Sequence, residues 1–143
     1  MEFTSDEDRE EYFKRMDEHR RTPIDDVVAE QQFIAVVNGK RREVVLQIGR
    51  PYAAPQGEYR CPAALWGLED RFSDIPGEGS LQALSLAHRF VLDRVIDRIS
   101  SGTARFYYPG YEDKELSVSY IKKVHGMVNR RPRKPKPVSS SGG

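Results

Sequence analysis

The sequence contains one cysteine, Cys61, and no long hydrophobic run. A single cysteine excludes an intrachain disulfide and suits a reducing cytoplasm. No apolar stretch approaches the roughly 20 residues that a membrane-spanning helix needs. The acidic N-terminus also lacks the apolar segment of a secretory signal. We therefore expect a cytoplasmic protein with no membrane partner.

Motifs that carry catalysis or hold a cofactor are scarce as well. His19, His88 and His125 form no His-x-x-x-His pair, and Cys61 forms no Cys-x-x-Cys pair, so no metal site is expected. The run Gly77-Glu78-Gly79-Ser80 opens a helix but matches neither the phosphate-loop pattern nor the dinucleotide fingerprint. We expect no catalytic residue, no cofactor and no enzymatic activity.

Several side chains that can carry chemistry have simpler structural interpretations. Cys61 has no histidine or helix N-terminus close in sequence, which favours a small core residue over a nucleophile. His88 falls on an apolar helix face, where a core histidine is the more common occupant. The acids Glu69, Asp70 and Asp74 crowd one predicted loop, and spacing alone does not distinguish a solvated loop from paired catalytic carboxylates.

Acidic residues are absent from the last 22 positions. Residues 122–143 carry seven of the 23 Lys and Arg residues, whereas residues 1–121 carry the other 16 and all 22 acids, a net charge of −6. So polar a segment cannot bury enough apolar surface to offset the entropy of ordering it. We expect residues 122–143 to form a disordered basic tail that either binds an anionic partner or has no partner. Its candidate binding residues are Arg130, Arg131, Arg133, Lys134 and Lys136.

The first segment, residues 1–22, is predicted to form a charged helix over Ser5–Arg21. Ser5 is a candidate N-cap, acids cluster early and bases late, and both features stabilise a helix. The apolar stripe is narrow and consists of Tyr12, Phe13 and Met16. A stripe this thin either docks at the edge of a domain or binds a partner.

Residues 24–121 are predicted to form one α+β domain. Two β-branched runs around Asn38-Gly39 predict a hairpin with a type I′ turn. Residues 58–66 alternate as a third strand, and Pro62 places that strand at a sheet edge or a bulge. Residues 70–79 read as a loop.

Apolar residues at helical spacing predict a long helix over residues 81–99, with a face wide enough to cover a sheet. Two short runs around Pro109-Gly110, residues 105–108 and 116–121, predict a second hairpin. The expected order is α-ββ-β-α-ββ. It describes an antiparallel sheet of a hairpin, a third strand and a second hairpin, with the long helix on one face and the charged helix at the N-terminus.

The run from Gly39 to Ile99 resembles small bacterial domains of unknown function. The shared elements are Ile48-Gly49-Arg50-Pro51, Tyr59-Arg60-Cys61-Pro62, Gly67-Leu68 and a helix beginning Ser80-Leu81-Gln82-Ala83. This resemblance covers under half of the chain. It implies a compact cytoplasmic bacterial domain and supplies no activity.

Three functions remain open. The first is a non-enzymatic protein-interaction domain, immunity-like or adaptor, that binds an unknown protein through an open sheet face or the Tyr12, Phe13 and Met16 stripe. The second rests on the hairpin–helix–hairpin order and the final Gly142-Gly143, which resemble ubiquitin-like modifiers, with the diglycine as the conjugation terminus. The third is nucleic-acid binding through the basic tail, with help from Lys40, Arg41, Arg42 and Arg50. An order resembling double-stranded-RNA-binding domains ranks below these, because the first helix is acidic.

Overall fold

A computed structural model describes residues 5–127 of the chain. It contains three helices and six strands in that range. In chain order they are α1 (Asp6–Arg21), β1 (Val27–Val37), β2 (Lys40–Gly49), β3 (Tyr52–Ala53), β4 (Tyr59–Trp66), β5 (Ser73–Gly77), α2 (Ser80–Ser100), β6 (Arg105–Tyr107) and α3 (Val118–Val124). The strands form one antiparallel sheet with α2 packed on it, so the α+β class is confirmed.

The locally encoded elements form where the sequence predicts them. The Ser5 side chain accepts a hydrogen bond from the Asp8 amide and so caps α1 as expected. Asn38 and Gly39 have φ angles of 52° and 75°, which join β1 to β2 in the predicted tight hairpin. The long helix α2 is also confirmed, and its N-cap is Gly79.

The prediction that Pro62 places its strand at an edge or bulge is wrong, because β4 lies inside the sheet. Ala63–Trp66 pair with β2, Tyr59 and Arg60 pair with β3, and residues 59–63 pair with β5 on the opposite edge. On the side of β4 that pairs with β2 and β3, Cys61 and Pro62 lie in the gap between these two strands. Pro62 therefore has no partner strand on that side, and its missing N–H costs no hydrogen bond there. The predicted loop over residues 70–79 likewise contains β5.

The predicted second hairpin is also wrong. Arg105–Tyr107 form β6, which pairs with β1, but the partner run forms α3 instead of a strand. The Ser117 side chain accepts from the Tyr120 amide and caps α3, and Ile121 is 1% exposed in the core. A capping serine followed by apolar residues at helical spacing outweighs the β-propensity of this run. Lys122 and Lys123 belong to α3, so the helix continues past the boundary predicted at residue 121.

The core lies between one face of the sheet and helices α2 and α3. Small side chains on α2, including Ala83, Ala87 and Val91, pack against Cys61 and Leu65 of β4. At the other end of this face, Phe33 and Phe106 meet edge to face with centroids 5.9 Å apart, in the same cluster as Ile121 of α3. We call this covered side the first face of the sheet.

We predict that Gly67→Ala strongly destabilises the protein, whereas Gly57→Ala is mild. Both glycines have φ near 90°, but only at Gly67 would an added Cβ lie 2.1 Å from the Glu43 carbonyl oxygen. The shared backbone strain costs roughly 1–2 kcal/mol. The clash should raise the loss of unfolding free energy at Gly67 above about 3 kcal/mol, measured by urea denaturation. Equal losses in the two variants would contradict this account of the β2–β4 approach.

Candidate functional site

The face of the sheet opposite α2 carries a cluster of apolar and aromatic side chains. Directly paired residues share a face, and the register pairs Ile34 with Tyr107 and Val45 with Trp66. Val36 joins them because it lies two residues beyond Ile34 on β1. We call Ile34, Val36, Val45, Trp66 and Tyr107 the second face. Ile34 is buried between its cross-strand neighbours, and the other four are half-buried.

Within residues 5–127, none of the three helices packs across the second face. The first face is the one covered by α2, and α3 contacts α2 on that same side. The helix α1 lies on the same side of the sheet as the second face but at its other end, beside Tyr52, Arg60 and Phe72. The five residues of the second face are therefore left uncovered by the described helices and lie among polar side chains, including Gln32 and Glu43.

A hydrogen-bonded ladder holds the tryptophan of the second face in place. Trp66 Nε1 donates to Gln47 Oε1 at 2.9 Å, and Gln47 Nε2 donates to Glu30 Oε2 at 3.0 Å. This ladder crosses β4, β2 and β1. Because both ends of the Gln47 amide are engaged, its orientation and that of the indole are fixed relative to the sheet.

Charged residues of both signs surround the second face. Arg41 Nη2 lies 2.6 Å from Glu112 Oε1, an ion pair at the hairpin end of the sheet. Arg105, opposite Val36, and Glu43, opposite Ile34, are both exposed. A mixed rim of this kind favours one orientation of a bound partner over others.

The structure places the three residues of the predicted α1 stripe, Tyr12, Phe13 and Met16, in two different environments. Tyr12 and Met16 line a recess of about 490 Å³ together with Tyr52, Pro55 and Arg60. Phe13 instead is 53% exposed, with the Arg9 guanidinium 5.7 Å from its ring centroid. Two members of the stripe thus face the rest of the chain and one faces outward.

The C-terminal half of α1 is anchored to the sheet. The Phe72 amide donates to the Arg20 carbonyl at 2.8 Å, and Arg71 forms an ion pair with Asp17. The His19 ring meets Phe72 edge to face, with centroids 5.3 Å apart. These contacts explain why so polar a helix lies against the domain.

A polar cluster beneath α1 could not be seen from the sequence. The Tyr52 hydroxyl donates to Asp74, and Arg60 is paired with Glu58 at 2.8 Å. Burial and the hydrogen bond to Asp74 both raise the pKa of Tyr52. Tyr52 and Asp74 come from two predicted loops, and only the pairing of both β3 and β5 with β4 brings them together.

The other chemically capable residues are separated or buried. Cys61 is fully buried, its thiol lies 3.3 Å from the Gly49 carbonyl oxygen, and burial raises its pKa to about 11. The acids of the predicted loop diverge: Glu69 pairs with Arg94, whereas Asp74 contacts Tyr52. Across residues 5–127, no group of three or more potential metal ligands occurs.

Two histidines far apart in sequence come together. The rings of His88 on α2 and His125, the C-cap of α3, have centroids 5.6 Å apart. His88 is half-buried on the helix face where the sequence places it. Burial, and then the charge of His88, lower the pKa of His125.

The basic residues considered for nucleic-acid binding are partly engaged within the chain. Arg41 pairs with Glu112, and Arg50 pairs with Asp26 at 2.8 Å. The tail residues Arg130, Arg131, Arg133, Lys134 and Lys136 lie outside the described residues, as do Gly142 and Gly143. The ubiquitin-like order relied on a second hairpin, and α3 occupies its place.

A cluster of three tyrosines was missed entirely. Tyr108, Tyr111 and Tyr120 line a recess of about 520 Å³ between the turn after β6 and the start of α3. We call it the tyrosine groove. The sequence signal that could have revealed it is the helical cap at Ser117, which turns the Tyr120 ring back toward Tyr108.

The pH dependence of the free energy of unfolding tests the proximity of His88 and His125. A histidine with a lowered folded-state pKa binds fewer protons folded than unfolded, so the protein loses stability as the pH falls through about 6.5. Lys122 and Lys123 in the same helical turn add positive charge. We expect the difference in unfolding free energy between pH 7.5 and pH 5.5 to shrink in His125→Gln, measured by urea denaturation. His19→Gln is the control, and an unchanged difference in His125→Gln would contradict the assignment.

Comparison with protein-family models, curated proteins and solved structures finds no match to this chain. Between residues 5 and 127, no helix combines the length and apolar character required to cross a bilayer.

Proposed function

We propose that the chain is a non-enzymatic protein-interaction domain that binds its partner through the second face of the sheet. One observation carries this proposal. Ile34, Val36, Val45, Trp66 and Tyr107 lie on one face of the sheet, interspersed with polar residues such as Gln32 and Glu43, and no described helix covers them. Apolar side chains grouped on one uncovered surface commonly mark an interaction site.

The composition of the second face fits a protein partner. Tryptophan, tyrosine and arginine dominate the energetics of protein interfaces, and this face carries Trp66 on β4 and both Arg105 and Tyr107 on β6. The ladder through Gln47 holds the Trp66 ring in one orientation before binding. Pre-ordering of this kind reduces the entropy lost when a complex forms.

The rim indicates the chemistry of the partner. Val36 is flanked by Arg105, and Ile34 is flanked by Glu43. A complementary protein would present an apolar centre, a carboxylate opposite Arg105 and a basic group opposite Glu43. Arg41 is already neutralised by Glu112, so it adds little to attraction at long range.

The bacterial and cytoplasmic setting of this proposal comes from the sequence. An immunity-like or adaptor role in a bacterial cytoplasm agrees with the partner-binding surface proposed for this domain. The buried reduced thiol of Cys61 is compatible with that compartment.

We predict that Val36→Lys abolishes capture of the partner, whereas Leu86→Lys does not. Val36 lies on the second face, and Leu86 is 44% exposed on the outer side of α2. Burying a lysine in an apolar interface should weaken binding by roughly 30-fold or more. Tagged full-length chains would be used to pull down partners from lysate of the native host, followed by titration of the recovered protein.

Both variants must keep the wild-type circular dichroism spectrum and a cooperative melt. Recovery of the same stoichiometric partner with wild type and Leu86→Lys, but not with Val36→Lys, supports the proposal. Retention of the partner by Val36→Lys, or no stoichiometric partner with wild type, would contradict it.

A further inference from the structure

Two of the three rings that line the tyrosine groove are held by the core of the domain. Tyr108 stacks on the buried Phe33 with centroids 5.9 Å apart and planes 16° apart. Tyr120 meets Tyr108 edge to face at 6.2 Å, and its helix is fixed by the buried Ile121. Each of the two rings is thus anchored to the core of the domain.

The third ring is positioned by a tight turn. The Tyr111 amide donates to the Tyr108 carbonyl at 3.0 Å across Pro109-Gly110, and Gly110 has a φ of 82°. Proline followed by a glycine of positive φ is the arrangement of a type II turn. The turn presents Tyr111 outward, and its side chain is 60% exposed.

Grooves lined by aromatic rings bind polyproline II helices. Prolines pack against the ring faces, while the regularly spaced backbone carbonyls of the ligand accept hydrogen bonds from groups such as tyrosine hydroxyls. The tyrosine groove offers ring faces and tyrosine hydroxyls in a recess of about 520 Å³, although Tyr108 and Tyr120 are hydrogen-bonded to each other. Its size and lining suit a few residues of such a helix.

The chain contains a segment with this chemistry. Pro132-Arg133-Lys134-Pro135 matches the P-x-x-P pattern that aromatic grooves recognise, and Pro137 follows. The pattern begins five residues after Met127, the last described residue. It therefore follows closely the helix that carries Tyr120.

The distance is short enough for this segment to reach the groove of its own chain. α3 has seven residues, which corresponds to a length of about 10 Å. Residues 128–131 in extended form span roughly 12 Å, so the chain can return along α3 as far as Tyr120. A tethered segment has an effective concentration on the order of millimolar, so even a weak contact would be populated.

The charges at the groove are mixed. Glu115 lines it and Asp113 lies beside it, and both can accept hydrogen bonds from the arginines that precede Pro132. Lys114 also lines it, and Lys122 and Lys123 lie nearby on α3, so they oppose a basic ligand. The ring contacts with proline, rather than net charge, must therefore supply the specificity.

We infer that the tyrosine groove is a binding site for polyproline II segments and that its occupant is Pro132–Pro135 of the same chain. This site is separate from the second face and does not depend on the function proposed for that face. It gives the basic tail a docked position within the molecule. It also defines the class of external ligand, a proline-rich peptide, that would compete for the groove.

A spin label on the tail tests this inference directly. The full-length chain with Ser140→Cys carries a nitroxide, and the unlabelled wild type controls for the buried Cys61, which should take up no label. We expect selective loss of the backbone amide signals of residues 111–120 in nitrogen-15 spectra. The amide of Gly39, in the hairpin turn, is the internal reference.

Two matched pairs of variants separate proline recognition from charge. Pro132→Ala with Pro135→Ala keeps every tail charge and should restore the lost signals, whereas Ser139→Ala with Ser141→Ala should not. Tyr111→Ala should also restore them, whereas Tyr111→Phe, which keeps the ring, should retain most of the loss. The exposed position of Tyr111 makes both of its variants compatible with folding.

Four results would overturn the inference. The first is no selective loss in the labelled wild type, and the second is a loss that survives the two proline substitutions. The third is a signal loss in an equimolar mixture of nitrogen-15 chain without the nitroxide and nitrogen-14 chain that carries it. Such a loss would mean that the tail of one copy binds the groove of another. The fourth is an equal shift of the groove amide signals by oligothymidine in chains with and without the two prolines. That result would assign the site to single-stranded nucleic acid.

Discussion

The packing of α2 against β4 is the contact on which the rest of the structure depends. Its small side chains, Ala83, Ala87 and Val91, let the helix approach the sheet closely. Gly77 permits the same approach, because a Cβ there would lie 2.5 Å from the Ala83 amide nitrogen. By covering one side of the sheet, this contact makes the two faces unequal. One face becomes the core, and the other is the face through which we propose that a partner binds.

The contact also explains why β4 is central despite its proline. Cys61 and Leu65 point into the layer under α2, so moving β4 to an edge would take buried apolar area from the core. The interruption between β2 and β3 accommodates Pro62 on one edge, while β5 pairs along the other. Burial here outweighs the local preference of a proline for an edge.

Elements with strong local signals were predictable from sequence. The cap at Ser5, the Asn38-Gly39 turn and the periodicity of α2 each act within a few residues. The run from Leu116 to Ile121 was predicted wrongly, because its β-propensity competes with the helix cap at Ser117. In the folded chain Ile121 is buried in the same cluster as Phe33 and Phe106, which favours the helix.

The candidate sites were harder to predict than the fold. An uncovered sheet face was expected, but which residues occupy it depends on the strand order and register, which no short pattern encodes. The tyrosine groove depends on α3 being a helix, so the error over the second hairpin concealed it. The sequence predicted the Tyr12, Phe13 and Met16 stripe on one helix face, but the way α1 docks places two of these side chains in the recess and one on the outer surface.

The central claim is that the second face is free in the isolated chain and covered in the complex. Trp66 is the only tryptophan and lies on that face, so its fluorescence reports on the surface directly. The most direct measurement is acrylamide quenching of Trp66 in the full-length chain, alone and with its bound partner. The account predicts efficient quenching alone and protection in the complex. A Trp66 already protected in the isolated chain, or equally quenched in both states, would contradict it.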